Sequence, residues 1–343
     1  MIVRSKNFEL KLEEITKEKI IHLVKNESES KVLELIRKWR DGTDAFEFNT
    51  SGSTGNPKKI LISREKITYS VRATFEFIDP EKNISSALLC INPEFIGGAM
   101  VIFRSLIMDL DLFISEPASD AASINPANEN FDLVSLVPLQ LESMLPNEME
   151  KYKTILVGGA PISNSVKVPE CIQIFSTYGM TETVSHIALK RYGAPYYEMT
   201  GDAIVSLDDD DGCLKFKGTL TENKWLKTND LGNVISLKKF EWTGRKDFVI
   251  NSGGIKINPE LIEGKLADQF TSSFVISSVP DIRLGERLVL VVEGNSAKIN
   301  FDYSTLSKYE KPKEVVYWDM IPRTASNKID RIRVKNILAD HEN

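Results

Sequence analysis

Apolar residues in the first half of the chain alternate between short runs of β type and longer stretches with helical spacing. Residues 26–40 (NESESKVLELIRKWR) place their apolar side chains on one helical face, and either Ser28 or Ser30 can begin that helix. Residues 64–78 (REKITYSVRATFEFI) predict a second helix with Ser63 as its N-cap. Strands are predicted for AFEFNT, KKILIS, ALLCIN, LFIS, DLVSLVP, TILVGG and IQIFST. This alternation is typical of an α/β fold with layers around a largely buried sheet.

The pattern changes after the segment YGMTETVSHIAL. Residues 200–240 predict short antiparallel strands joined by turns rich in Gly and Asp. A compact α+β pattern follows, with a helix that has Asn258 as its N-cap and Pro259 as its first residue. The strands predicted beyond it are SFVISSV, RLVLVVE and EVVYWD. We therefore predict a large α/β N-terminal region, residues 1–246, and a small α+β C-terminal region, residues 247–343.

Composition and charge argue against several classes of function. The 343 residues are 42% hydrophobic and 27% charged, and their net charge of −6 comes without a basic stripe, so nucleic acid is not expected as a partner. The three cysteines lack CxxC spacing and no signal-peptide pattern is present, which together predict a cytoplasmic protein. No apolar run approaches the roughly 18 residues of a membrane-spanning helix, so membrane insertion is not expected. The acidic run 208–211 predicts a solvated turn rather than a metal cluster.

A glycine-rich loop lies at residues 48–60, FNTSGSTGNPKKI. Its glycines permit close approach of a phosphate, its hydroxyl and backbone N–H groups can donate hydrogen bonds, and a lysine supplies positive charge. The loop is not a Walker A motif, because Pro57 stands where that motif has its second glycine. The same residue types also favour a plain hairpin turn. The predicted phosphate-binding residues are Ser51, Gly52, Ser53, Thr54, Gly55 and Lys58.

Together with this loop, four further segments resemble the motifs of the adenylate-forming superfamily, which includes acyl-CoA synthetases, adenylation domains and luciferases. They are STYGMTET (176–183), WLKTNDLG (225–232), WTGRKDFVINSGGIKINPELIE (242–263) and PRTASNKIDR (322–331), in the order found in that family. The resemblance implies a layered N-terminal domain with mixed sheets and helices, followed by a small mobile α+β domain. It also implies a two-step reaction. A carboxylate first attacks the α-phosphate of ATP, with Mg²⁺ as cofactor, to give acyl-AMP and pyrophosphate, and the thiol of CoA then displaces AMP.

The resemblance also implies roles for residues around the nucleotide. Tyr178 is expected against the adenine face, although a tyrosine of the hydrophobic core is the simpler alternative. Thr181 is expected to bind the α-phosphate, Glu182 to hold Mg²⁺, and Asp230 to accept hydrogen bonds from the ribose. The other ATP-binding residues implied are Gly159, Ala160, Gly179 and Arg245.

The C-terminal region contributes a lysine and a hinge in this resemblance. Lys328 is the implied catalytic residue that bridges the carboxylate and the α-phosphate, since a long flexible ammonium can enter with a moving domain. Asp247 occupies the hinge position of the family. The residues expected to line the thiol tunnel after the domain rotates are Gly253 and Gly254. The positions at which the family usually has glycine, but this chain does not, are Asn229 and Asn327.

The identity of the acid rests on a narrower resemblance. The chain has fewer residues before the phosphate loop than the family usually has, and YGMTETVSHIAL resembles the members that act on o-succinylbenzoate in menaquinone biosynthesis. An aromatic dicarboxylate needs an aromatic-lined pocket and a partner for its second carboxylate, which Arg72 or Arg104 could supply. The predicted acyl-pocket residues are Phe95, Thr183, Ser185 and His186, and a satisfied strand histidine is the alternative for His186.

Several alternatives stay open at this point. The chain could be another acyl- or aryl-CoA ligase, a stand-alone adenylation enzyme that loads a carrier protein, or a non-catalytic nucleotide-binding descendant. The retained Lys328 argues against the last, because binding alone does not require it. A homodimer could cover the side of the sheet that a longer N-terminal subdomain covers in other members.

Overall fold

A mixed sheet of 13 strands, a separate smaller sheet of five strands and a two-stranded hairpin form the framework of the computed structural model, which describes residues 1–49, 59–159, 162, 166–270, 272–294, 301–324 and 328–341. The strands are β1 (Ile2–Ser5), β2 (Glu9–Lys11), β3 (Ala45–Asn49), β4 (Lys59–Ser63), β5 (Ser86–Leu89), β6 (Asp111–Ile114), β7 (Phe131–Leu136), β8 (Tyr152–Val157), β9 (Gln173–Gly179), β10 (His186–Arg191), β11 (Tyr197–Met199), β12 (Ile204–Leu207), β13 (Cys213–Lys217), β14 (Leu226–Ser236), β15 (Lys239–Arg245), β16 (Ile250–Ser252), β17 (Ile255–Ile257), β18 (Phe274–Asp281), β19 (Gly285–Glu293) and β20 (Glu314–Trp318). The helices are α1 (Lys17–Leu23), α2 (Glu27–Arg40), α3 (Arg64–Ile78), α4 (Ile96–Met108), α5 (Ala121–Ile124), α6 (Pro138–Glu142), α7 (Pro146–Met149), α8 (Pro259–Leu266) and α9 (Arg331–His341).

The large sheet changes from parallel to antiparallel pairing between β9 and β10. Its strands follow the order β12-β13-β14-β15-β11-β10-β9-β8-β7-β5-β6-β1-β2. Neighbours from β1 to β9 in this order pair in parallel, whereas β10 pairs antiparallel with β9. The carboxyl ends of β7, β8 and β9 therefore meet at one edge of the sheet, which is where ligands bind in open α/β sheets. The segments that leave β8 and β9 carry Gly159 and the STYGMTET motif.

The α/β fold class is confirmed, and the predicted strands of the first half form as β3 to β9. Ser63 caps α3 as expected, because its side chain accepts a hydrogen bond from a backbone N–H of the first turn at 3.3 Å. The predicted start of α2 is wrong. Asn26 is its N-cap, with Oδ1 accepting from Glu29 N at 2.8 Å, and both Ser28 and Ser30 lie inside the helix.

Helix α4 is the most buried helix of the N-terminal region. All its residues from Gly98 to Ser105 are buried, which is typical of a helix that is apolar on every side. Its Phe103 ring lies 5.1 Å from the ring of Trp39 in α2 and 5.0 Å from that of Phe46 in β3. Contacts with α2, α3 and β5 fix α4 in the core. Any polar side chain on this helix is consequently held in a dry environment.

The smaller sheet carries a helix on each face. Its strands follow the order β17-β16-β19-β18, with β20 beside β19. Ile262 of α8 packs with Ile276 of β18, whereas Val334 of α9 packs with Val275 on the opposite face. Successive side chains of β18 therefore point to opposite faces, as strand geometry requires. The helices α8 and α9 therefore both pack against the same strand, β18.

The two sheets are joined by a short connection. Strand β15 of the large sheet ends at Arg245, a 3₁₀ turn spans Lys246–Phe248, and β16 of the smaller sheet begins at Ile250. The boundary at 246–247 and the mobility of the C-terminal region stay predictions. Over the described ranges, no helix combines the length and the apolar character needed to cross a bilayer.

The acidic run 208–211 lies in the turn before β13, as expected. Asp208 accepts from Lys227 at 2.8 Å, and Asp211 pairs with Lys246 at 3.1 Å. Within the described part of the chain, no cluster of His, Cys, Asp or Glu is arranged to hold a metal ion by itself. Lysines therefore balance the charge of this turn.

Candidate active site

The STYGMTET motif ends in a tight turn between β9 and β10. Gly179 is opposite His186 in the strand register, and a Cβ added to Gly179 would lie 1.9 Å from the backbone oxygen of Ser185. Only glycine permits this approach. Beyond the 3₁₀ turn Thr181–Thr183, Val184 adopts φ +68° and ψ −51°, and Ser185 N donates to Thr183 O at 2.7 Å. This is a γ-turn with positive φ, a rare and strained conformation that is concentrated at functional sites.

The turn separates its side chains into buried and exposed groups. Thr181 is buried, whereas Glu182 is exposed and has no ion pair among the described residues. Thr183, predicted in the acyl pocket, is fully buried, and its Oγ1 donates to Ser185 O at 2.8 Å. The hydroxyl of Thr183 therefore supports the turn itself. The carboxylate of Glu182 stays available to a cation.

A hydrogen-bonded aromatic network surrounds Asp230. Tyr178 Oη donates to Asp230 Oδ2 at 2.6 Å, and Trp242 Nε1 donates to Oδ1 at 3.1 Å. The Tyr178 ring also packs against Phe216 and Phe240, with centroids 5.3 and 5.1 Å away. Burial, followed by the negative charge of Asp230, raises the pKa of Tyr178 well above its usual value. The ring of Tyr178 thus belongs to an aromatic cluster with Phe216 and Phe240. The oxygens of Asp230 keep further lone pairs that can accept from hydroxyl donors.

Lys328 is brought from the C-terminal region to the loop that follows β8. Gly159 has φ +101°, and a Cβ added to it would lie 3.5 Å from Lys328 Cε. The backbone around Lys328 is held by a hydrogen bond from Thr324 N to Lys328 O at 2.8 Å. Lys328 is exposed by its accessible area, but the protein atoms packed around its ammonium group, followed by repulsion from Arg245, lower the pKa of Lys328. An anion beside this pair of cations would be stabilised.

Asp247, the predicted hinge residue, interacts with the neighbouring strands β14 and β15. Its Oδ2 accepts from Arg245 Nη2 at 2.9 Å, and both its carboxylate oxygens lie within 3.3 Å of Asn229 Nδ2. Asn229 is the residue that replaces the usual glycine, so this departure adds a contact to Asp247. Gly253 and Gly254 form the exposed turn between β16 and β17 with φ of +63° and +81°.

His186 lies in a buried polar group beside Arg104. Its Nε2 is 2.8 Å from Thr74 Oγ1, and its Nδ1 is 3.4 Å from Arg104 Nη2. Burial, followed by the charge of Arg104, lowers the pKa of His186 well below its ordinary value, so the ring is neutral. Both ring nitrogens have partners, which fits the alternative of a satisfied strand histidine.

Arg104 is the charged member of this group, and it is only 3% exposed. Its Nη1 lies 3.5 Å from Ser135 Oγ, whereas its Nε has no hydrogen-bond partner and the side chain no ion pair in the described ranges. Burial lowers the pKa of Arg104 to about 10, which leaves the guanidinium charged at neutral pH. By contrast, Arg72 on α3 is exposed. Phe95, half-buried, is the N-cap residue of α4, the helix that carries Arg104.

Comparison with known proteins decides the family. Residues 9–209 match the sequence model described as AMP-binding enzyme. The chain belongs to the AMP-binding enzyme family. The family membership inferred from the five motifs is thereby confirmed.

Relatives of this AMP-binding enzyme carry a consistent name. The 2-succinylbenzoate–CoA ligase of Listeria monocytogenes is 28% identical over 90% of this chain and 73% of the relative. That of Bacillus subtilis is 26% identical over 84% of this chain and 68% of the relative. A solved acyl-CoA synthetase (AMP-forming)/AMP-acid ligase II-like protein from Dyadobacter fermentans is 31% identical, with a TM-score of 0.59 over 92% of this chain and 95% of that one. The o-succinylbenzoate CoA synthetase of Bacillus subtilis, solved with ATP and magnesium, shares the fold at 24% identity, with a TM-score of 0.70 over 84% of this chain and 69% of that one.

Some predicted residues of this AMP-binding enzyme lie outside the described residues. These are Ser51, Gly52, Ser53, Thr54, Gly55, Lys58, Ala160 and Asn327. The motifs did not predict the partners Trp242 and Thr74, although Trp242 opens one of the motif segments. Thr74 lies in the middle of an ordinary amphipathic helix and carried no sequence signal.

Proposed function

We propose that this AMP-binding enzyme is an AMP-forming acid–CoA ligase. It uses ATP and Mg²⁺ to convert a carboxylate to acyl-AMP and then transfers the acyl group to CoA. The family, the names of its relatives and the approach of Lys328 to Gly159 support this reaction. For the acid we propose o-succinylbenzoate.

The observation that carries the choice of acid is the buried charge of Arg104. A buried guanidinium without a counter-ion is unfavourable, because neutral partners such as Ser135 and His186 do not replace its hydration. A dicarboxylate keeps one carboxylate after the other has been activated, and that group can pair with Arg104. An apolar monocarboxylate leaves the charge uncompensated. The site therefore favours a dicarboxylate.

The residues around the nucleotide have complementary roles in the first step. Asp230 accepts from the ribose hydroxyls while Tyr178 and Trp242 hold its carboxylate in place. An oxygen of the substrate carboxylate attacks the α-phosphorus, the bond to pyrophosphate breaks, and Lys328 neutralises the negative charge where the two anions meet. Thr181 donates to the α-phosphate.

Glu182 fits the task of holding Mg²⁺. Its carboxylate is exposed, lacks an ion pair among the described residues, and belongs to the 3₁₀ turn Thr181–Thr183 that follows β9. Mg²⁺ is commonly bound by one or two carboxylates together with phosphate oxygens. When bound, the cation supplies charge neutralisation on the leaving phosphates. Glu182 orients it.

The test is release of pyrophosphate and AMP from ATP and Mg²⁺ with a panel of organic acids, with and without CoA. We expect o-succinylbenzoate to be used best, followed by other aromatic dicarboxylates. Failure of every acid to yield acyl-AMP overturns the ligase proposal, and a preference for monocarboxylates overturns the choice of acid. Transfer to a carrier protein instead of CoA would change only the acceptor. A homodimer and a cytoplasmic location remain further predictions.

A further inference from the structure

The start of α8 packs against β15, and this contact joins the C-terminal region to the N-terminal region. Asn258 Nδ2 donates a hydrogen bond to the backbone oxygen of Thr243 at 2.6 Å. Gly244 has φ +137°, and a Cβ added to it would lie 2.3 Å from Asn258 Oδ1. The backbone of β15 therefore accommodates the Asn258 amide only because residue 244 is glycine. Asn258 and Thr243 lie on opposite sides of the 3₁₀ turn Lys246–Phe248 in the sequence.

Asn258 does not use its side chain as the sequence predicts. It occupies the N-cap position of α8, but it makes no side-chain hydrogen bond to the first turn of that helix. Its Oδ1 is buried and has no partner in the described ranges. Asparagine at an N-cap ordinarily accepts from a backbone N–H of the helix. The amide is diverted from stabilising α8 to contacting the neighbouring strand, which indicates a role between the two regions.

A short chain of contacts links Asn258 to Lys328. Glu263, on the same helix as Asn258, accepts from Arg331 Nη1 at 2.9 Å, and its second oxygen accepts from Arg331 Nη2. Bidentate pairs of this kind fix both distance and orientation. Arg331 begins α9, three residues after Lys328, and the intervening Asp330 donates from its backbone N to Pro322 O at 2.8 Å. The segment that carries Lys328 is thereby attached to α8.

We propose that Asn258 is a positioning residue for acid activation, because its amide holds the C-terminal region where Lys328 lies beside Gly159. The inference rests on the proposed function. Asn258 and Lys328 belong to one region, and Thr243 and Gly159 belong to the other, so the two contacts form together. If the C-terminal region rotates about the turn that contains Asp247, as the family resemblance implies, Asn258 moves away from Thr243. The amide therefore acts in acyl-AMP formation and not in the transfer to CoA.

The test compares the two half-reactions in Asn258→Asp. Aspartate caps helices as well as asparagine and has nearly the same shape, but it lacks the N–H donor and places a carboxylate against a carbonyl oxygen. We expect acyl-AMP formation to fall about tenfold, while thioester formation from supplied acyl-AMP changes by less than about twofold. Asn223→Asp, the same change in an exposed turn, is the matched control and should leave both rates unchanged. Equal losses in both half-reactions, or no loss in acyl-AMP formation, overturn the inference.

A distance measurement tests the same contact without any turnover. Cys171 is exposed whereas Cys90 and Cys213 are buried, so one spin label can be placed on Cys171 and another on a cysteine introduced at the exposed Lys311. We expect a narrow distance distribution with Asn258 and a broader, longer one with Asn258→Asp. Identical distributions overturn the inference. If the unaltered chain forms no acyl-AMP with any acid, the proposed function fails, and this measurement alone decides the role of Asn258.

Discussion

The carboxylate of Asp230 and the guanidinium of Arg104 mark the nucleotide side and the acid side of the proposed site, and the protein satisfies them differently. Each oxygen of Asp230 accepts a hydrogen bond from an aromatic side chain, at 2.6 Å from Tyr178 and at 3.1 Å from Trp242. Arg104 is buried among neutral groups, and its Nε has no partner in the described part of the chain. The hydrogen bonds of Asp230 are complete in the folded protein. The charge of Arg104 is not compensated there, and an anionic substrate can balance it.

This difference indicates where binding energy is gained. A preorganised network, such as that of Asp230, changes little when the nucleotide arrives, and it therefore contributes mainly orientation. A buried cation without a counter-ion is destabilising in the free enzyme, so its pairing with a substrate carboxylate contributes strongly to selectivity. Mutation of Arg104 should accordingly lower activity without lowering stability. Mutation of Asp230 should lower stability and have a smaller effect on activity.

The largest effect is expected at Lys328, which is proposed to act where the acid meets the α-phosphate. Lys328→Ala should lower acyl-AMP formation by roughly 10²- to 10³-fold, because it removes the ammonium group proposed to neutralise the two anions, whereas the nearby Arg245 is tied to Asp247. Thioester formation from supplied acyl-AMP should be largely spared. Rapid-quench measurement of each half-reaction gives the two rates, with Lys308→Ala as an exposed control. Equal loss of both half-reactions would contradict the assigned role.

Arg104→Met tests whether the buried guanidinium contributes to the selection of a dicarboxylate and not to stability. Loss of a charge-assisted pair lowers kcat/KM for o-succinylbenzoate by roughly 10- to 100-fold, whereas the low activity with monocarboxylates should not fall. The free energy of unfolding should not decrease, because the substitution removes an uncompensated buried charge. Steady-state kinetics with both classes of acid and urea denaturation provide the measurements. Arg72→Met on the exposed face of α3 is the control, and a larger effect there would reassign the acid partner.

Asp230→Asn should lower the stability of the protein, unlike Arg104→Met, and should have a smaller effect on activity. The amide can no longer accept from both Tyr178 and Trp242, so the unfolding free energy should fall by about 1 kcal/mol. We expect KM for ATP to rise roughly tenfold, because the ribose loses its charged acceptor. Titration of ATP at saturating acid, together with urea denaturation, checks both quantities. Asp210→Asn in an exposed turn is the control. Unchanged stability would show that the aromatic network does not depend on the carboxylate.

The grouping of residues on the proposed nucleotide side could be predicted from the sequence more fully than that on the proposed acid side, where His186 and Arg104 were candidates but their contact with each other and with Thr74 was not predicted. Tyr178, Asp230 and Lys328 lie in motif segments whose residue types and order survive in this chain, so their grouping followed from the family resemblance. Arg104 and Thr74 come from two helices whose patterns predict only buried faces, and His186 brings them together through tertiary packing. Such a group has no local spacing to recognise. The same limit applies to Asn258, because an N-cap pattern does not reveal that its amide points to another strand.

The smallest expected effect on activity concerns Glu260, whose carboxylate resembles the guanidinium of Arg104 in having a buried polar atom without a hydrogen-bond partner in the described ranges. It lies in the first turn of α8, and its Oε2 is buried without a hydrogen-bond partner in the described ranges. Burial raises the pKa of Glu260 to about 7, against the opposing effect of Arg331. Protonation relieves this buried carboxylate, whereas Arg104 can be relieved only by an anion. The two therefore respond to different variables, pH in one case and substrate in the other.

The sign of the pH effect follows from proton linkage. A carboxyl group with a raised pKa binds its proton more tightly in the folded state, so its contribution to stability is present at low pH and is lost as pH rises from about 4.5 to about 7. Glu260→Gln keeps the neutral form at every pH. We expect the difference in unfolding free energy between Glu260→Gln and the unaltered chain to grow by about 1–2 kcal/mol across that interval and to level off above it. Urea denaturation at a series of pH values measures this difference and removes the contributions of all other groups. A constant difference, like that expected for the exposed Glu94→Gln, would mean that the Glu260 carboxylate reaches solvent.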